Sequence, residues 1–280
     1  TELIEQAFRK TKLLKFEGLK GKNQTEEIKH FLSQLSDYAE EPIYRELPFT
    51  TWKQCFELLA KKTAKGAWTI YFEELQWMAC YSSDLVADLK YVWDNFLKKN
   101  PQLRLILCGS ATSFMLTHVV RSQVLYNRSQ TIIELKEFSL AEVYEFLGKK
   151  HSLPELMDIY LSLGGIPEYL KQIQKGASLY IKMCQQSFVK NGFFQSEIDR
   201  IFVSNLSDRE HYRKIVEVLS QKKFLTREQI LSKLDVQSGG KISELIQDLT
   251  ICRFISANAP IGKVENSKLQ RYQVSDSYLR

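Results

Sequence analysis

WTIYFEELQWMA (Trp68–Ala79) starts as an apolar run and ends on two adjacent carboxylates, Glu73 and Glu74. Trp68 to Phe72 has the composition of a buried strand. Delivering paired acids at the tip of such a strand carries a desolvation cost unless the acids have a role. Three readings are open from these residues alone: a nucleotide site, a metal site, or an ordinary strand running out into a polar turn.

The surrounding segments place this strand in a larger pattern. TELIEQAFRK opens as a helix, with Leu3, Ile4, Ala7 and Phe8 on one face. LLKFEG (Leu13–Gly18) reads as a short strand. A polar helix follows around Thr25–Leu35, with Ile28, Phe31, Leu32 and Leu35 as its apolar stripe, and TTWKQCFELLAKKT gives another, capped by Thr50 or Thr51. After the Trp68 strand come a helix around Asp84–Lys98, a second buried-type strand LRLILCGS (Leu103–Ser110), and a third, TIIELKEFS (Thr131–Ser139). Strands alternating with helices predict a parallel α/β sheet. Ligands in such sheets sit at the carboxyl ends of the strands. Glu73, Glu74, Gly109 and Ser110 all lie at that end, so the two strand tips are expected to frame one site.

Beyond Leu140 the strands stop. LAEVYEFLGKK, ELMDIYLSLGGIPEYLKQI and LYIKMCQQSFVKNGFF read as helices, the middle one broken at Gly164, Gly165 and Pro167. From Ser207 three helices are followed by two strand-like pieces, RFISA and LQRYQVS, which is the order of a winged helix. The expected organisation is therefore an α/β core over 1–139, a helical subdomain over 140–206 and a winged helix over 207–280.

Composition narrows the classes. The 280 residues are 44% hydrophobic and 26% charged, enough for a sizeable core. No apolar run approaches the roughly 20 residues of a membrane span. The five cysteines form no CxxC pair and the four histidines have no metal-ligand spacing, so a reduced, cytoplasmic protein without a zinc site is expected. There is no nucleophile elbow and no GxGxxG. The formal net charge is +6. Residues 207–280 hold 13 Lys and Arg against 9 Asp and Glu, so the excess concentrates there, as DNA binding favours. The third helix of that region sets Glu244 and Asp248 beside Lys241, whereas Lys263, Lys268 and Arg271 are better placed for phosphates, so DNA and protein remain equal candidates as partner. There is no initiating Met and both ends read as cut, so a piece of a longer protein is expected.

Taken in order, TELIEQAF, IYFEELQWM, LILCGSATSFM, LYNRSQTIIELKEFS, LGGIPEYL and RYQVSDSYLR resemble the archaeal-type ATPase family, a P-loop branch related to the AAA+ and STAND NTPases. The resemblance implies a P-loop NTPase (AAA+-like) parallel-sheet core, a helical lid and a winged helix, with ATP and Mg²⁺ as cofactors. It implies that the Gly-Lys of the phosphate loop lies just before Thr1, and that the family runs on into a further C-terminal domain. Thr1 would match the loop's hydroxyl residue and ligate Mg²⁺. Glu73 would orient Mg²⁺ and Glu74 would polarise the attacking water. The family's first acid is normally Asp, so Glu73 is longer by about 1.5 Å. Ser110 would sit beside the γ-phosphate, and Arg128 would pair with phosphate oxygens, although Asn127 precedes it where the family has Gly. Gly164, Gly165 and Pro167 would let the lid backbone approach the nucleotide. The implied function is an ATP-binding, ATP-hydrolysing module whose nucleotide state repositions the winged helix and an effector domain. On that reading this chain, without the loop's glycines and Lys, is inactive by itself. The alternative is a degenerate, non-hydrolysing relative that binds DNA or protein.

Overall fold

The computed structural model describes residues 2–110, 114–148, 151–175, 178–197, 199–201, 209–234, 240–262 and 269–280. The chain forms two compact units, Thr1–Ile132 and Ile133–Arg280.

The first unit is built on a three-stranded parallel sheet of β1 (Lys12–Glu17), β2 (Trp68–Glu73) and β3 (Leu103–Leu107), in that spatial order. Its helices are α1 (Glu2–Phe8), α2 (Gln24–Ala39), α3 (Trp52–Lys62), the one-turn α4 (Leu75–Met78) and α5 (Asp84–Asn95). The helices start where capping chemistry allows. Asn23 and Glu26 form a reciprocal capping box on α2, and Thr51 with Gln54 does the same on α3. Both present the apolar stripe that their 3.6-residue period predicts: Ile28, Phe31, Leu32 and Leu35 on α2, and Trp52, Phe56 and Leu59 on α3, are all buried.

Those stripes meet one face of the sheet. Alternation along the strands sends Leu14, Phe16, Ile70 and Phe72 into the same core, where Phe16 and Phe31 stack at 4.4 Å between centroids and Phe56 and Phe72 lie 5.5 Å apart. Each fully buried aromatic contributes about 1.5–3 kcal/mol. The register is Glu17 opposite Glu73 and Phe72 opposite Leu107. A slip of β1 by one residue would set Lys15 and Glu17 in this core in place of Leu14 and Phe16, so burial on β1 fixes the register against β2.

One expected core element is absent. Thr131–Ser139 forms no strand; Ile132, Ile133 and Leu135 are 63%, 66% and 70% exposed. Its residues favour a strand, but a strand exists only where a paired edge satisfies its backbone, and this segment joins no ladder among the described residues.

The second unit begins with helices α6 (Leu140–Leu147), α7 (Leu153–Leu163), α8 (Pro167–Ile173) and α9 (Leu179–Phe188). They share a core of Val143, Leu156, Ile159, Leu170 and Ile173. After them come α10 (Arg209–Ser220), β4 (Leu225–Thr226), α11 (Arg227–Leu234), α12 (Gly240–Ile251), β5 (Ile255–Asn258) and β6 (Arg271–Val274). Here the strands form an antiparallel sheet in the order β4, β6, β5. A second core, with Ile215, Leu219, Ile230 and Leu249, lies beneath it.

Candidate functional site

The tips of β1, β2 and β3 converge because their backbones are tied together. The amide of Gly18 donates to the Glu73 carbonyl (3.0 Å), that of Leu75 to the Cys108 carbonyl (3.0 Å), and that of Cys108 to the Phe72 carbonyl (2.8 Å). Two glycines permit this closeness. A Cβ on Gly18 would collide with the Met78 amide and the Glu74 carbonyl, and one on Gly109 with the Gln76 side-chain oxygen and Met115.

Glu74 leaves the strand with φ 53 and ψ 48, a left-handed conformation that few non-glycine residues adopt. Such backbone costs about 1–3 kcal/mol and is retained where the surroundings over-determine it. The surroundings here are a hydrogen-bond cluster on one carboxylate oxygen. Glu74 Oε2 accepts from Ser110 Oγ (2.8 Å), the Ser110 amide (3.4 Å) and Gln76 Nε2 (2.5 Å). Gln76 Nε2 also donates to Ser110 Oγ (3.2 Å). Gln76 is fully buried, and its Oε1 has no hydrogen-bond partner among the described residues.

Glu73 is different. It is 7% exposed, and its Oε2 lies 2.7 Å from Lys15 Nζ. Lys15 Nζ also meets Glu5 Oε1 at 3.1 Å. Burial opposes the charge on Lys15, but the hydrogen bonds to Glu73 and Glu5 outweigh it and raise the pKa of the ammonium.

The donors at this tip, two carboxylates and a hydroxyl, are all oxygens, the hard set that Mg²⁺ takes. Among the described residues no group of three or more His, Cys, Asp or Glu could hold a metal ion. Glu73 Oε2 already faces a cation, the Lys15 ammonium, so the site fits a positive charge at that oxygen provided that Lys15 gives way.

A sequence model of ATPase domains predominantly from Archaea matches residues 4–173. The chain belongs to this family. It is a nucleotide-binding ATPase module on a P-loop NTPase sheet. Among solved structures it is similar to the Walker-type ATPase paby2304 of Pyrococcus abyssi, at TM-score 0.65 and 16% identity over 99% of this chain and 85% of that one, which speaks for the fold alone. It is also similar, more distantly, to the Aeropyrum pernix ORC2 protein in ADPNP and ADP complexes, at TM-score 0.47 and 12% identity over 99% and 78%. No curated protein matches. Among the described residues no helix is long and apolar enough to cross a membrane.

The other candidate residues of this archaeal-type ATPase are placed as follows. Thr1 lies outside the described residues, as do Lys263 and Lys268. Arg128 forms a two-pronged pair with Asp94, Nε to Oδ1 at 3.0 Å and Nη2 to Oδ2 at 2.7 Å, while its Nη1 donates to the carbonyls of Val124 (3.2 Å) and Tyr126 (2.9 Å). The hydrogen bond from Arg128, opposed by desolvation and helped by Lys90, holds the Asp94 carboxyl down at about 2. Gly164 (φ 72) ends α7 with its amide on the Tyr160 carbonyl (2.9 Å). Gly165 donates to Glu137 Oε2 (3.1 Å), accepts from the Phe138 amide (2.8 Å), and leaves no room for a Cβ against the Phe138 carbonyl. Pro167 is the first residue of α8, where its missing amide costs nothing. All three have a local structural use. In the second unit Arg271 lies over Phe224 at 4.2 Å, and Asp248 accepts from the Tyr212 hydroxyl at 2.7 Å.

Sequence reasoning brought Glu74 and Ser110 together and missed Lys15 and Gln76. Gln76 had a signal: a lone amide between Leu75, Trp77 and Met78 must be buried and must find a donor or acceptor. For Lys15 the signal was weaker, since only the strand register sets it beside Glu73.

Proposed function

We propose that this module binds ATP with Mg²⁺ and hydrolyses it at the tip of β2. Glu74 polarises the attacking water, Ser110 orients Glu74, and Glu73 stands on the metal side. The phosphate-binding loop, expected just before Thr1, completes the site, and Thr1 supplies the metal's hydroxyl ligand. Mg²⁺, when bound, neutralises the charge that develops on the phosphates. Residues 207–280, read as a winged helix, transmit the nucleotide state to DNA or to a protein. Gly164, Gly165 and Pro167 mark the lid that senses it.

The observation that supports this reading is the Glu74 carboxylate, set at a buried strand tip in a left-handed backbone conformation and gripped through one oxygen by Ser110 at 2.8 Å. A general base is effective only when its orientation is fixed in advance. The test is Mg²⁺-dependent ATP hydrolysis by the protein with its phosphate-binding loop, with and without Glu74→Gln. Turnover should fall at least about a hundredfold in the variant while nucleotide binding is retained. Equal turnover in both proteins, or no binding in either, refutes it.

A further inference from the structure

Lys15 and Glu73 belong to neighbouring strands. Lys15 stands opposite Tyr71 in the parallel register and Glu73 opposite Glu17, so both side chains leave the same face of the sheet, two positions apart. The stem of Lys15 starts from a fixed point. Its amide donates to the Tyr38 hydroxyl (3.1 Å), and that hydroxyl donates to the Lys15 carbonyl (2.9 Å). From there the ammonium reaches the nearly buried Glu73 Oε2 at 2.7 Å and also touches Glu5, an exposed carboxylate on α1, at 3.1 Å.

We propose that Lys15 is a built-in counter-ion of Glu73 which competes with the divalent cation for the Glu73 carboxylate. This rests on reading Glu73 as the metal-side acid. A hard dication needs an oxygen lone pair, directly or through water, and an ammonium 2.7 Å away already holds the lone pair on Oε2. Two cations at that separation repel, so the ion gains Glu73 only as Lys15 leaves it. Glu5 supplies the place to leave to: it is already within ion-pair distance, and it sits in water. Lys15 thereby lowers affinity for the free metal without removing the site. The metal is retained chiefly when another ligand, such as a nucleotide phosphate, adds its own attraction.

The test uses metal alone, so it is independent of nucleotide hydrolysis. Mn²⁺ binding to the 280-residue chain is followed by electron paramagnetic resonance, with Mg²⁺ as competitor. Lys15→Met should bind Mn²⁺ at least about tenfold more tightly than the unmodified chain, Lys15→Arg should not, and Glu73→Gln combined with Lys15→Met should abolish the gain. No gain in Lys15→Met overturns the proposal, and so does a gain that survives Glu73→Gln. If Lys15→Met fails to fold, the unmodified chain still decides. Its Lys15 ammonium resonance, assigned with Lys15→Arg, should lose protection as Mg²⁺ is raised to saturation, whereas that of Lys62 on Glu41 should not. A Lys15 resonance indifferent to saturating Mg²⁺ refutes the competition. Loss of ATP hydrolysis in Glu74→Gln bears on the catalytic reading alone and leaves these outcomes untouched.

Discussion

Replacing Gln76 with Leu should leave the stability of the fold nearly unchanged, although it deletes a fully buried polar side chain that holds Glu74 at 2.5 Å. Two terms decide this. A hydrogen bond to an ionised group contributes about 1.5–3 kcal/mol, so losing the Gln76 donor destabilises by that amount. The other half of the amide works the opposite way. Oε1 is buried without a partner among the described residues, and an unsatisfied buried polar atom costs about 1–3 kcal/mol, which Leu removes. Leu has nearly the volume of Gln, so no cavity is left, and Ser110 continues to donate to Glu74. The net change should lie within about 1 kcal/mol. Gln76→Ala keeps both terms and adds a cavity, for a loss of about 2–3 kcal/mol. Gln76→Glu sets a second carboxylate against Glu74. The repulsion between like charges should make this variant less stable than Gln76→Leu at pH 7. Urea denaturation followed by tryptophan fluorescence measures all three. A loss above about 3 kcal/mol in Gln76→Leu would show that Oε1 has a partner after all and would refute the reasoning.

Other outcomes follow from the same structure. Arg128 holds the Asp94 carboxyl at about 2, below its unfolded value of about 3.9, so the pair stabilises fully above pH 4 and this contribution fades as the pH falls towards 2. In Asp94→Asn, melting temperatures between pH 2 and 5 should show a shallower acid decline; an unchanged slope counts against the pairing. Burial pushes the Cys55 thiol up to about 12, whereas Cys184 is exposed. A thiol reagent at pH 8 should label Cys184 in the folded protein and reach Cys55 only in denaturant, which peptide mass mapping will settle. Gly165→Ala drives a methyl into the Phe138 carbonyl and should destabilise the second unit by about 1–3 kcal/mol, read as a lower denaturation midpoint; a neutral result would mean that the Phe138 backbone yields freely.

What could be read without coordinates was whatever is carried by local period. The stripes of α2 and α3 follow from apolar residues three and four apart, and a cap at Thr50 or Thr51 announces the start of α3, which the structure places at Thr51. The paired acids at the end of an apolar run, with a Gly-Ser turn ending the next strand, were enough to bring Glu74 and Ser110 together. What escaped depends on partners distant in sequence. Lys15 meets Glu73 across 58 positions and Arg128 meets Asp94 across 34, and no spacing rule ties either pair. Thr131–Ser139 failed for the complementary reason: its composition suits a strand, but strand formation is decided by a neighbouring edge and not by the segment itself.

That exposed segment bears on the behaviour of the protein in solution. Thr131–Leu135 places Ile132, Ile133 and Leu135 in water within five residues of high β-propensity and without proline, a composition prone to recruit identical chains into cross-β stacks. Glu134, Lys136 and Glu137 interrupt it with charge, and Glu134 is held by Arg253 at 2.6 Å. These charges act as gatekeepers against self-association. Neutralising two of them, by Glu134→Gln with Lys136→Gln, should make light scattering grow with protein concentration while the folded core stays intact.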